Sequence, residues 1–100
     1  MEVHIQFVKM PVSENLQEFI QKKLDKLYKK YDWLIKAQVY IKYENDPTSK
    51  GKICEMVLSQ SGPQVFASSN EDNYQLAVKN TVSDLERQLS KRKQVMKSHL

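Results

Sequence analysis

From Tyr74 to Leu89 the residues Tyr74, Val78, Val82, Leu85 and Leu89 recur at spacings of four and three, which fits one face of an α-helix. The same segment then runs on as a cationic rod, with Arg87, Lys91, Arg92, Lys93 and Lys97 and no acidic residue after Glu86. A helix needs only its stripe to pack, so the unbalanced charge asks for another reason, and phosphate is the partner it suits. Residues Glu71 to Lys97 would span roughly 40 Å at 1.5 Å per residue, whereas an eight-residue strand covers about 26 Å. The last two turns should therefore overshoot any sheet, leaving Arg92 and Met96 on the stripe line with nothing to cover. They form either a frayed, solvated tail or a basic arm that orders on phosphate contact.

The remainder of the chain alternates between the two periods. Val3, Ile5 and Phe7 alternate with Glu2, His4 and Gln6, a half-buried strand that Pro11 closes. Ser13 reads as a helix N-cap followed by Glu14, and Leu16, Ile20, Leu24, Leu27 and Tyr31 form a stripe ending near Tyr31-Asp32. Trp33 sits in the connection, where an aromatic more often plugs a core than binds a ligand. Ala37, Val39, Ile41 and Tyr43 mark a second strand, and Asn45 to Gly51 is loop-like. Cys54, Met56 and Leu58 mark a third strand; Ser61-Gly62-Pro63 is a turn; Val65-Phe66-Ala67 is a short fourth strand. Asn70 or Ser69 caps the last helix, with Glu71 and Asp72 in its first turn.

The expected order is β-α-β-β-β-α. Four strands share one apolar face and each helix has one apolar stripe, so both helices must lie on that face. The fold class is thus α+β, a two-layer sandwich with a four-stranded mixed sheet and the helices side by side. One domain, residues 1–100, accounts for the length.

The charge pattern adds a functional expectation. Lys22, Lys26, Lys29 and Lys30 fall roughly opposite Ile20 on the first helix, Lys23 lies at the flank of its stripe, and Glu14, Glu18 and Asp25 keep to a separate strip. Helices lying side by side would merge these lysines with Arg87 and Lys91 into one basic surface. A net charge of +4 points the same way. Other chemistry finds no foothold. His4 and His99 stand without ligands at metal spacing, Cys54 lies among apolar neighbours as a structural thiol, and Gly51 and Gly62 both sit in turns. Neither enzyme nor cofactor is expected. A single cysteine and the absence of a leader or apolar span predict a cytoplasmic protein with no membrane and no small-molecule substrate.

Several stretches resemble the ribosome hibernation-promoting factors, the YfiA-type ribosome-associated inhibitors once called sigma-54 modulation proteins. Met10-Pro11-Val12-Ser13 with Lys23-Leu24-Asp25-Lys26-Leu27 looks like their first helix, and Ala37-Gln38-Val39-Tyr40-Ile41 like their second strand. Ala67-Ser68, Ala77-Val78 and the run Leu85-Glu86-Arg87-Gln88-Leu89-Ser90-Lys91 are similar to their most recognisable signature. The resemblance covers essentially the whole chain. It implies a double-stranded-RNA-binding-domain-like topology and binding to the small ribosomal subunit, on its 16S-type rRNA, between head and body where messenger and transfer RNA sit. It further implies silenced translation in stationary or stressed cells and, where ribosomes are paired, a helper factor for dimerisation. Carried over to matching positions, the rRNA contacts are Lys23, Lys26, Arg87, Lys91 and Lys93; the charge pattern alone adds Lys22, Lys29, Lys30, Arg92 and Lys97. The chain looks closer to the short form, without a C-terminal dimerisation domain. It departs from the family at Asn73-Tyr74-Gln75, where the tyrosine is displaced by one, and at Asp84, where relatives often have lysine and where a carboxylate stands near Arg87.

Two other readings share these residues. One is a general structured-RNA binder without ribosomal specificity; the other is a protein-interaction module using the open sheet face or the projecting arm.

Overall fold

The structure is a computed structural model that describes the backbone of residues 1–98 and the side chains of residues 1–95. The elements run β1 (Glu2–Phe7), α1 (Glu14–Lys30), β2 (Lys36–Tyr43), β3 (Lys52–Ser59), β4 (Val65–Glu71) and α2 (Tyr74–Ser98), the order expected from sequence. The strands lie side by side as β1-β2-β3-β4. β1 is parallel to β2, as a strand–helix–strand crossover requires, and the other neighbours are antiparallel.

Register places the alternating residues on one face: Ile5 stands beside Val39, Val39 beside Met56, and Met56 beside Ala67. Onto that face α1 lowers Leu16, Ile20, Leu24 and Leu27, and α2 lowers Ala77, Val78, Val82, Leu85 and Leu89, all buried. Each fully buried leucine or isoleucine contributes about 2 kcal/mol of transfer free energy. The buried hydroxyl of Thr81 is satisfied, since its Oγ1 lies 2.7 Å from the Ala77 carbonyl and 3.2 Å from that of Cys54. Cys54 itself is fully buried, and its desolvation pushes the thiol up to about 12.

Local signals fix the helix ends. Ser13 Oγ accepts from the Leu16 N–H at 3.2 Å, the expected N-cap of α1, and the Tyr31 N–H closes the last turn on Leu27. At the other end the expectation fails. β4 continues through Ser68-Ser69-Asn70-Glu71 because β3 offers it a full-length partner, pairing Lys52 with Glu71 and Ile53 with Asn70. The cap of α2 therefore moves to Asn73, whose Oδ1 accepts from the Leu76 N–H at 2.7 Å. Asn70 instead takes the Gly51 N–H at 2.7 Å, tying the β2–β3 connection to β4. Glu71 leaves the first turn of α2 and accepts from Asn80 Nδ2 at 3.1 Å.

Trp33 plugs one end of the core. Its ring stands edge-on to Tyr31, centroids 5.5 Å apart, and its Nε1 donates to Gln60 Oε1 at 2.8 Å. Gln60 then donates to the Pro63 carbonyl at 2.8 Å, so the β3–β4 turn is fastened to the same end. At 25 residues α2 measures about 38 Å, longer than any strand beneath it, and the longest dimension of the molecule is 49 Å.

Candidate nucleic-acid interface

Because β1, β2 and β4 all run the same way and α1 and α2 each turn back after one of them, the two helices descend side by side in the same direction, and Lys30 meets Glu86 while Lys23 stands level with Lys79. The facing flanks of two parallel helices are the residue before each stripe position on one and the residue after it on the other. On α1 those are Lys23, Lys26 and Lys30, preceding Leu24, Leu27 and Tyr31; on α2 they are Lys79, Ser83, Glu86 and Ser90, following Val78, Val82, Leu85 and Leu89. Together they wall a groove of ≈ 380 Å³ floored by Leu27 and Val82. Past Glu86 it opens into a shallower trough flanked by Tyr31, Arg87 and Lys91.

Lys23, Lys26, Lys30, Lys79, Arg87 and Lys91 thus line one continuous concavity, in which Glu86 is the single acidic residue among the described residues. Lys30 Nζ donates to Glu86 Oε1 at 2.6 Å, and that bond together with the carboxylate's charge raises the Lys30 pKa. Arg87 Nη2 lies 3.0 Å from Asp84 Oδ1 one turn back, the proximity expected from sequence. Both pairs are exposed, and such pairs are worth a fraction of a kcal/mol. Lys23, whose Nζ lies 5.5 Å from the Phe19 ring centroid, has no carboxylate partner among the described residues, and neither do Lys26, Lys79 or Lys91. Several ammonium groups without partners in one concavity can hold phosphate as point charges.

The sequence-derived cations do not all converge here. Lys22 and Lys29 are exposed but do not line the groove. Arg92, expected to have nothing to cover, is half-buried and donates to the Ser61 carbonyl at 3.1 Å. It packs so closely over the β3–β4 turn that a Cβ on Gly62, already at φ +99°, would sit 2.8 Å from its guanidinium. Lys93 donates to the main-chain carbonyl of Lys30 at 3.2 Å and lies 5.6 Å from the Tyr31 ring centroid. These two side chains fasten the overhanging part of α2 instead of facing the groove. The side chains of Lys97 and Met96, and His99 entirely, lie outside the described residues.

Sequence reasoning missed Lys79, which stands in the half of α2 away from the cationic run. Tyr74 has a structural role: its hydroxyl donates to the Lys42 carbonyl at 3.0 Å, pinning the start of α2 to the end of β2, and partial burial raises its pKa. On the far side of the sheet His4 is exposed and sits 2.9 Å from Glu2. No group of metal-ligating side chains occurs among the described residues, and no helix is long and apolar enough to cross a membrane.

The fold and the groove define a basic α+β module with a cation-lined concavity between its two helices. The chain belongs to the family described as sigma 54 modulation protein / S30EA ribosomal protein, whose model matches residues 3–97. It is similar to a ribosomal subunit interface protein from Coxiella burnetii, with 25% identity, a TM-score of 0.81 and coverage of 93% of this chain and 98% of that one. It also shares its fold with the N-terminal domain of Thermus thermophilus Protein Y, at 18% identity and TM-score 0.77 over 91% of this chain and 98% of that one. No curated protein sequence matches. Proteins of this family are binding factors, and the chain is accordingly not an enzyme.

Proposed function

We propose that this protein is a ribosome-binding inhibitor of translation, a single domain that lays its interhelical groove against rRNA of the small subunit. There it occupies the channel of messenger and transfer RNA between head and body, and it keeps ribosomes silent in stationary or stressed cells. The observation that carries the reading is the convergence of Lys23, Lys26, Lys30, Lys79, Arg87 and Lys91 on one concavity in a member of this family. The Coxiella burnetii relative carries the subunit interface in its printed name. A ribosomal site would also place the protein in the cytosol.

Cations on flexible stems bind phosphate by position and charge and do not read bases, so recognition rests on the shape of folded RNA. Affinity must then fall steeply with salt, with a logarithmic slope of roughly −4 if about five phosphates are neutralised. The test is sedimentation with purified subunits across a salt series. Co-migration with the small subunit alone, lost in the Lys26→Ala/Lys91→Ala variant, is the expected result. Co-migration that is unaffected by the substitutions or by salt would refute the groove as the contact surface. Displacement by bulk RNA as readily as by small subunits would reduce the protein to a general RNA binder.

A further inference from the structure

The geometry points to Glu86 as a specificity residue: its carboxylate excludes extended, evenly charged polyanions from the groove and admits folded RNA that brings phosphates to either side of it. This rests on the phosphate-binding role proposed above and concerns which nucleic acid the site accepts.

The cations of the groove fall into two groups. Lys79, with Lys23 and Lys26 across from it, forms the upper one; Arg87 and Lys91 form the lower one. Glu86 stands between Lys79 and Lys91, seven residues beyond the first and five before the second, with Arg87 next to it in the chain; the two intervals are about 10 Å and about 7.5 Å along the helix axis. It faces both parts of the concavity and engages Lys30, the one cation at its own level on α1, at 2.6 Å. The groove is therefore not a uniform positive trough but two positive ends separated by a waist at which the Glu86 carboxylate cancels the charge of Lys30.

A single strand threaded along such a groove carries one charge per nucleotide. It must bring a phosphate up to Glu86 or pull Lys30 away from it. Like charges at close quarters oppose binding, and proteins use such contacts to reject wrong partners. Folded RNA escapes the conflict because two of its backbone segments can each supply a phosphate to one end while the space between them faces the waist. Asp84 does not act in this way. It holds Arg87 at 3.0 Å but lines neither part of the groove, so it tunes charge without occupying the path.

The experiment compares the wild-type protein, Glu86→Gln and Asp84→Asn for binding to a fluorescent oligouridine and to a labelled RNA hairpin of equal nucleotide count at one salt concentration. Glutamine keeps the length of the side chain and an amide oxygen that accepts from Lys30, so the fold is retained. The wild-type protein should prefer the hairpin. Glu86→Gln should tighten oligouridine binding roughly tenfold and hairpin binding by less than about twofold, whereas Asp84→Asn should shift both by one common small factor. If Glu86→Gln strengthens both ligands equally, Glu86 contributes only net charge and the inference is overturned while the phosphate-binding role stands. If the wild-type protein binds oligouridine as tightly as the hairpin, the inference also fails. If it binds neither, the phosphate-binding role itself is wrong and this inference goes with it.

Discussion

Lys93 of α2 donates to the main-chain carbonyl of Lys30, the last residue of α1, at 3.2 Å. A helix C-terminus presents unsatisfied carbonyls and a partial negative charge, and an ammonium there answers both. The side chain thus anchors the overhanging turns of α2 to its neighbour, although a basic residue in this run reads at first as a phosphate contact. Lys93→Met keeps the aliphatic stem and removes the charge. It should cost about 1 kcal/mol, a fall in Tm of roughly 4–8 °C for a domain this size, while leaving RNA affinity within about twofold. A variant that melts like the wild type but binds RNA as poorly as Lys26→Ala would show that Lys93 serves phosphate instead.

Arg92 makes the matching anchor on the other side, and its position depends on a residue with no side chain. Gly62 sits at φ +99°, with the Arg92 guanidinium 2.8 Å from where a Cβ would be. Gly62→Ala should therefore destabilise by about 1–2 kcal/mol through backbone strain and displacement of Arg92 from the Ser61 carbonyl. In a double-mutant cycle with Arg92→Ala the combined cost should be smaller than the sum, because the second substitution removes the obstacle that the first one meets. Strict additivity in urea unfolding would mean that the two residues do not compete for the same space.

Much of this fold could be read from periodicity, because its core residues obey it closely. Strand alternation from Val3 to Phe7 and from Ala37 to Tyr43, with two helical stripes, allows few arrangements other than two helices on one face of a sheet. The start of α2 was misplaced for a physical reason. Ser69, Asn70, Glu71 and Asp72 have the local chemistry of a helix entrance, but hydrogen bonding to β3 draws three of them into β4 and hands the cap to Asn73. Local propensity lost to a non-local pairing that no window of sequence displays.

The groove was legible in one half. Counting charge around α1 located Lys26 and Lys30, but the opposite wall needs the direction in which α2 passes α1. Only with the helices known to be parallel does the residue after each α2 stripe position face the partner, and that rule selects Lys79. Lys22 and Lys29 are exposed and do not line the groove. The roles of Arg92 and Lys93 depend on contacts with residues 31 and 63 positions away in the chain.

Cys54 provides a pH prediction. Burial pushes its thiol up to about 12, against an ordinary value near 9. The native state therefore holds this proton over a range in which the unfolded chain releases it, and stability falls wherever the unfolded state binds fewer protons. The contribution is fully present below about pH 9 and lost at about 1.4 kcal/mol per pH unit as the pH rises towards 12. Lysines titrate in the same range, so the measurement is a difference. Urea unfolding of the wild type and Cys54→Ala between pH 8 and pH 10.5 should show the steeper decline only in the wild type. Parallel curves would mean that the thiol ionises as easily in the folded protein as in the unfolded chain.

Lys79 and Lys22 form the sharpest comparison at the interface, since both are exposed lysines on the surface of a helix and only one lines the groove. If affinity came from net charge alone, Lys79→Ala and Lys22→Ala would weaken RNA binding equally, because each removes one positive charge from the same small domain. If it comes from phosphates seated between the helices, Lys79→Ala removes a direct contact. It should then lower the magnitude of the salt slope by about 1 and weaken binding about five- to tenfold at moderate salt, uniformly across RNA sequences. Lys22→Ala should leave the slope unchanged and reduce affinity by less than about twofold, the effect of a charge screened over a Debye length of about 8–10 Å. Fluorescence anisotropy titrations of one RNA hairpin at four salt concentrations distinguish the two. Equal slopes for both variants would move the RNA off the groove and onto the general positive field of the molecule.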